Sequence, residues 1–152
     1  LIGLFYIDDL IYPYLYPLRV QIRMIYMCIF KRKDFARWQT NEKLPDAILC
    51  KAVGEMENGL IDADLGGSLS KKRIARPDGG KSGGYRTLLA AQIGNRYVFL
   101  HGFPKSDKAN ITQIEKKALQ YAGKVFLELS ADALVMAIQA GVLLEVCCEQ
   151  NH

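Results

Sequence analysis

Early in the chain the hydrophobic positions change from a continuous apolar block to helical spacing. The block, Ile25–Lys31, is rich in β-branched and aromatic residues, which predicts a short buried strand. Apolar residues then recur every three or four positions in two segments, a spacing typical of amphipathic helices. The first helix is predicted over 34–42, and the second from Pro45 to a stop at Asn58-Gly59.

After these two segments the hydrophobic period shortens to two, which predicts strands. The three predicted strands are 68–76, 84–93 and 95–103. The pair Gly94-Asn95 predicts a tight hairpin turn between the last two strands. The glycine-rich stretch 77–84 predicts a longer, flexible connection between the first two.

The last third of the chain returns to helical spacing. Thr112 and Glu115 form a capping box at the start of an amphipathic helix of about four or five turns. The apolar series of this helix is Ile114, Ala118, Tyr121, Val125 and Leu129. A further short helix is predicted from Ser130 to Ala140, and 142–146 is a candidate last strand. This order predicts an α+β fold, with helices packed on one face of a small, mostly antiparallel sheet. The basic strands would line the other, open face.

Composition fits one globular domain, but the charge is unevenly distributed. The chain has 152 residues, of which 50% are hydrophobic and 24% charged, and a net charge of +4. Between Lys71 and Lys108 there are nine cations and two acids, a local net charge of +7. Such a cationic region suggests a polyanionic partner, namely nucleic acid, a membrane surface or an acidic protein. A solvated lysine-rich face is the alternative.

Residues 1–26 differ in composition from the rest of the chain. They are aromatic and aliphatic, and Pro13 and Pro17 interrupt any helix. The uncharged stretch Leu10–Leu18 is about half the length that a membrane span needs. We therefore expect 1–26 to be a dispensable N-terminal extension and 27–152 to be the functional domain. A strand or interaction segment that folds onto the domain is the alternative.

The cysteines and histidines do not form a metal-binding pattern. The four cysteines are Cys28, Cys50, Cys147 and Cys148. They form no C-x-x-C pair, and with two histidines in the chain a zinc site is not expected. We expect reduced thiols in a cytoplasmic protein, with no metal or other cofactor.

The basic residues of the cationic region lie on predicted strands. Because strand side chains alternate between faces, Lys71 and Arg73 point one way, while Lys72 and Arg76 point the other. Arg86 lies within the next strand, where a cation costs desolvation free energy unless an anion meets it. Arginine binds phosphate through two parallel hydrogen bonds, so the pattern favours a phosphate-binding surface.

Two segments carry a resemblance to a known family. They are GLIDADLGGSLSKKRIARPDGGKSGGYRTL and RYVFLHGFPKSDKANIT. The basic strand before Gly-Gly-Tyr-Arg, and the later segment with Phe103, Lys105, Asn110 and Ile111, resemble the RelE toxins of bacterial type II toxin–antitoxin systems. These belong to the wider RelE/ParE superfamily and are close to HigB-type toxins. The resemblance extends from about Met27 to Leu129.

The resemblance implies a ribonuclease that cuts messenger RNA in the ribosomal decoding site without a metal. In this chemistry the ribose 2′-hydroxyl attacks the adjacent phosphate, leaving a 2′,3′-cyclic phosphate and a free 5′-hydroxyl. It also implies a cognate antitoxin protein as partner, and no membrane. A ParE-like inhibitor of DNA gyrase and a non-catalytic basic module that binds nucleic acid are the alternative functions.

The resemblance also implies roles for individual residues. By motif position Lys71 would be the general base, Arg73 would hold the phosphate, and Arg86 would stabilise charge in the transition state. The residues expected to bind RNA phosphates are Lys72, Arg76, Lys81, Lys105 and Lys108. A family tyrosine is replaced by Thr112, so the general acid is not assigned; His101 is a candidate, and a structural histidine is the alternative.

Overall fold

The computed structural model describes residues 28–77, 83–106 and 111–148. The elements in these ranges are β1 (Ile29–Arg32), α1 (Lys33–Asn41), α2 (Asp46–Glu57), β2 (Ala63–Asp64), β3 (Leu69–Ile74), β4 (Tyr85–Gln92), β5 (Arg96–Pro104), α3 (Gln113–Leu127), α4 (Ala131–Gln139) and β6 (Leu143–Glu145). Each element predicted from the hydrophobic pattern is present, and the two-residue β2 is an addition. The predicted extension 1–26 lies outside the described residues.

The strands form one mixed sheet in the order β2-β3-β4-β5-β1-β6. All neighbouring strands are antiparallel except β1 and β5, which pair in parallel. At the hairpin between β4 and β5, the backbone N–H of Asn95 donates to the carbonyl of Gln92 at 2.8 Å, and Gly94 has a φ of +78°. Glycine adopts this left-handed conformation without steric cost, so the predicted turn is confirmed. The α+β class and the mostly antiparallel sheet are also confirmed.

Helices cover both faces of the sheet, whereas the sequence pattern suggested one covered face. On one face, called the α1–α2 face, Phe35 and Leu49 of the helices lie in one core cluster with Phe99 of β5. On the other, the α3–α4 face, Leu119 and Leu134 lie in a second cluster with Leu100, the next residue of β5. Consecutive positions of β4 and β5 are buried, so both faces of these central strands need an apolar cover.

Helix α3 buries a different side from the one that its apolar series suggests. Its buried residues are Leu119 and Gly123. A Cβ at Gly123 would lie 2.7 Å from the Ala90 side chain, so the glycine lets the helix approach the sheet closely. Ile114 and Tyr121, by contrast, are 81% and 72% exposed. The apolar series of α3 therefore lies at the surface of the described structure.

A disulfide between Cys50 and Cys148 joins α2 to the segment that follows β6, with a Cα–Cα distance of 5.7 Å. The expectation of reduced thiols is wrong for this pair. The two residues are 98 positions apart, and local spacing contains no information about such a pairing. Cys147, next to it in sequence, is a free and exposed thiol.

Candidate functional site

Strand β3 carries basic side chains on both of its faces. In the pairing of β3 with β4, Lys71 lies opposite Leu88, Lys72 opposite Thr87, and Arg73 opposite Arg86. Residues directly opposite each other in an antiparallel pair lie on the same face. Lys71, Arg73 and Arg86 therefore share the α3–α4 face, and Lys72 lies on the α1–α2 face.

Arg73 and Arg86 form a cross-strand pair of like charges. Opposite positions place their Cβ atoms about 5 Å apart, an arrangement that destabilises a sheet unless an anion is present. Among the described residues neither arginine forms a salt bridge. Within the same ranges, Nη1 of Arg86 is buried and has no hydrogen-bond partner. A buried donor without an acceptor costs free energy, so this atom is a candidate contact for a bound anion.

His101 joins these cations because of an irregularity in the pairing of β4 with β5. Leu88 pairs with His101, but the next residue, Leu89, pairs with Phe99, so β5 has one extra residue at Leu100. Strict alternation would place His101 on the same face as Phe99, whereas this bulge turns it to the α3–α4 face. His101 is exposed, and it shares this face with Lys71, on the opposite side of the central strand β4.

The first turn of α3 closes one side of this surface. A groove of 270 Å³ is lined by Leu65, Lys71, Leu88, Ile111, Gln113 and Lys116. The predicted capping box is confirmed: the Glu115 N–H donates to the Thr112 hydroxyl at 3.0 Å, and the Thr112 N–H donates to the Glu115 carboxylate at 2.8 Å. The box defines where α3 begins and thereby brings the partial positive charge of its N-terminus close to Lys71. Sequence reasoning missed Gln113 and Lys116, for which the capping box is the only sequence signal.

Lys72 and Arg76 lie apart from this group. The Lys72 side chain is 6% exposed, and its Nζ lies 2.8 Å from Oε1 of Glu55 in α2. Arg76 is exposed beyond the end of β3, and its Nε donates to the Gly83 carbonyl. Both line a groove of 540 Å³ against α2, which Lys71 does not line but to which Arg73 also contributes. The structure therefore does not bring these two predicted phosphate ligands to the shared surface.

Lys105 lies at the end of the surface nearest Arg86. It is exposed directly after β5, and its backbone N–H donates to the Gly84 carbonyl at 2.8 Å. A Cβ at Gly84 would lie 2.7 Å from the carbonyl oxygen of Ile74, so glycine is required for β4 to approach β3 here. The other two predicted phosphate ligands, Lys81 and Lys108, lie outside the described residues.

Two further properties concern the described ranges as a whole. They contain no cluster of three or more histidine, cysteine, aspartate or glutamate side chains that could hold a metal ion. None of their helices is long and apolar enough to cross a membrane.

A protein-family model described as the RelE toxin of the RelE/RelB toxin–antitoxin system matches residues 27–146. The match covers well over half of the chain. It contains the six strands and four helices of the described ranges, and every residue of the surface described above. No curated protein matches the chain at a significant level.

Proposed function

Because the chain belongs to the RelE toxin family, we propose that this toxin of a toxin–antitoxin system is a ribosome-dependent endoribonuclease. It would cleave messenger RNA and so inhibit translation in the cytoplasm. The supporting observation is the buried, unpartnered Nη1 of Arg86, on a face that also presents Lys71 and Arg73. A phosphate oxygen of RNA would supply the acceptor that this guanidinium lacks among the described residues.

The reaction we propose needs two proton transfers and stabilisation of one developing charge. The 2′-oxygen attacks the adjacent phosphorus while its proton passes to the Lys71 amine, the general base. The bond from phosphorus to the 5′-oxygen then breaks, and that oxygen takes a proton from the His101 imidazolium, the general acid. The products are a 2′,3′-cyclic phosphate and a free 5′-hydroxyl.

The spacing of the strands suits this division of roles. Lys71 and His101 lie on the same face, with Leu88 of the central strand between them. Strands are about 4.8 Å apart, so the backbones of β3 and β5 are about 10 Å apart, and because Leu88 is buried the RNA would lie above it, with the Lys71 and His101 side chains on either side. Arg73 and Arg86 would donate to the non-bridging oxygens, where negative charge increases in the transition state.

The remaining cations would hold the RNA backbone rather than act on the reacting atoms. Lys105 extends the cationic surface beyond Arg86, and Lys81 and Lys108 belong to the same proposed set. Lys116 is a new member, because it lines the groove beside Lys71. Lys72 is left out of the proposed site because it is buried and paired with Glu55, and Arg76 because it lies beyond β3 and donates to the Gly83 carbonyl. Binding through phosphates should weaken steeply as salt rises, since it depends on release of counterions.

The test is to mix the purified protein with ribosomes that carry a defined message and an empty A site. We expect a single cut in the decoding site, with a 2′,3′-cyclic phosphate on one fragment and a 5′-hydroxyl on the other. A parallel supercoiling assay with DNA gyrase separates the alternatives. Inhibition of gyrase without RNA cleavage would support a ParE-like toxin, and ribosome binding without either activity would support a non-catalytic binding module.

A further inference from the structure

Helix α3 carries an apolar seam that no described part of the chain covers. The seam consists of Ile114, Ala118, Tyr121 and Val125, all of them exposed. Val125 is 40% exposed, and the two larger members of the seam are considerably more so. The opposite side of α3 contains Leu119 and Gly123, which pack on the sheet. Large apolar side chains exposed in one line on a helix are typical of a surface that binds another protein.

The spacing within the seam indicates what kind of structure fits it. The four residues are separated by four, three and four positions, which is the spacing of the two apolar positions in a coiled-coil heptad. Exposed Lys117 and Lys124, seven positions apart, flank one edge of the seam. Along the other edge, Glu115 is engaged in the capping box. A partner helix thus needs an apolar stripe and, beside the lysine edge, acidic side chains.

We propose that the seam is the docking site for an acidic amphipathic helix of the antitoxin. The inference rests on one part of the proposed function, namely that the protein is a toxin with an antitoxin partner, as its family implies. A second copy of this chain fits less well. In an antiparallel pair of two α3 helices the lysine edges would face each other, and in a parallel pair the lysines would face Ala122 and the engaged Glu115.

The position of α3 connects this seam to the proposed active site. The helix begins beside the groove that contains Lys71, so a partner chain that leaves the seam at the Ile114 end reaches the cationic face. The seam supplies the hydrophobic part of the binding free energy. Attraction between acidic side chains and the cationic face supplies the salt-dependent part.

The test compares a seam variant with a matched control in binding to the purified protein encoded beside this gene. The seam variant is Tyr121→Ser with Val125→Ser, and the control is Val135→Ser with Met136→Ser, which removes exposed apolar side chains of α4. We expect the seam variant to bind about a hundredfold more weakly, because a tyrosine at the centre of an interface is a typical hot spot. The control should stay within about twofold of the wild type.

A charge series sharpens the assignment. Lys117→Glu with Lys124→Glu should weaken binding, because acidic side chains of the partner would then be repelled along this edge. Added salt should recover part of the affinity lost by this variant. Arginine at both positions should preserve the affinity. Unchanged affinity in the seam variant, or no binding of the neighbouring protein to any variant, would overturn the proposal. So would a dimer of the free chain that the seam variant dissociates. The seam substitutions are also tested in the full chain and in a chain that starts at Met27. If they lower the thermal stability of the full chain but not that of the shorter chain, residues 1–26 and not the antitoxin bind the seam.

The seam and the nuclease proposal can fail separately. Cleavage of ribosome-bound RNA is measured without antitoxin, and the seam variant should cleave at the wild-type rate. If the wild-type chain does not cleave RNA but the seam variant binds the antitoxin more weakly than the control does, only the nuclease proposal is overturned. If the chain cleaves RNA and the seam variant binds the antitoxin as tightly as the wild type does, only the proposal that the seam is the docking site is overturned.

Discussion

The two faces of β3 carry the same kind of charge in opposite surroundings. On the α1–α2 face, Lys72 of β3 meets Glu55 at 2.8 Å, and on the same face of the sheet Lys31 of β1 meets Asp46 at 2.8 Å. Both acids come from α2. On the α3–α4 face, Lys71, Arg73 and Arg86 form no salt bridge with any described residue. The cations of the α1–α2 face are therefore paired with acids of a helix, whereas those of the α3–α4 face have no such acid among the described residues.

This difference has a physical reason. Like charges that lie opposite each other on two strands destabilise a sheet, and a buried donor without an acceptor adds to that cost, so the Arg73–Arg86 pair is not explained by its contribution to stability. Departures of this kind from favourable charge pairing are expected at functional sites. Substitutions of the basic residues on the α3–α4 face should therefore change the cleavage rate, whereas substitutions in the ion pairs of the α1–α2 face should change the stability of the fold.

The largest effect should come from Arg86→Ala. If Arg86 stabilises charge that develops only in the transition state, single-turnover cleavage on programmed ribosomes should slow by about a hundredfold or more. Ribosome affinity should fall much less, because the other cations still attract the RNA. Folding should be preserved, since the substitution removes a repulsion between Arg73 and Arg86. Arg37→Ala, an exposed cation of α1, is the control. Equal loss of affinity and rate would make Arg86 a docking residue.

The next largest effect should come from the Lys72–Glu55 pair, and it should be asymmetric. Glu55→Ala leaves a buried ammonium without its anion, and we expect unfolding to become easier by about 2 kcal/mol. Lys72→Met replaces the buried cation with an apolar chain of similar length, so stability should change by less than about 1 kcal/mol. Chemical denaturation measures both. Neither variant should slow cleavage, and a tenfold loss of rate in Lys72→Met would return Lys72 to the RNA-binding set.

A smaller effect is expected from Asp46, whose contribution to the stability of the fold depends on pH. Burial would raise the pKa of the Asp46 carboxyl, but hydrogen bonds from Gln39, Lys31 and the Cys147 backbone N–H outweigh it and hold the pKa below its usual value of 3.8. Because the folded-state pKa is depressed, this stabilisation is present above about pH 4 and is lost as the pH falls through the folded-state value. Asp46→Asn should therefore lower stability at pH 7 by about 1–2 kcal/mol.

The difference between wild type and Asp46→Asn should shrink as the pH drops below about 4, which thermal unfolding at several pH values will show. The control is Asp34→Asn. The Asp34 side chain is 53% exposed in its pair with Arg32, and an exposed pair contributes little, about 0.5 kcal/mol. A constant difference across the whole pH range would show that Asp46 acts through packing and not through its charge.

The smallest effect is expected from removal of the first 26 residues. A chain that starts at Met27 should unfold cooperatively and cleave RNA at the wild-type rate. The reasons are the change of composition near residue 24 and the family match, which begins at residue 27. Loss of cooperative unfolding in the truncated chain would show that the segment is part of the fold.

Local sequence was sufficient for every element except the two-residue β2, and for the face of β3 on which each of its basic residues lies. The Thr112–Glu115 capping box and the Gly94-Asn95 turn act over a few residues, and hydrophobic periods distinguish strands from helices without reference to the rest of the chain. Alternation along β3 correctly separates Lys71 and Arg73 from Lys72, because each strand has a period of two.

Only the tertiary structure decided which of these residues meet. The bulge at Leu100 turns His101 towards the face on which Lys71 lies, and Glu55 of α2 pairs with Lys72 of β3. No local sequence pattern predicts either contact. The apolar series of α3 faces outward because Gly123 gives the opposite side the closer fit to Ala90. Local preferences select a helix or a strand, whereas the side that it buries is decided by steric fit and charge pairing with residues distant in sequence.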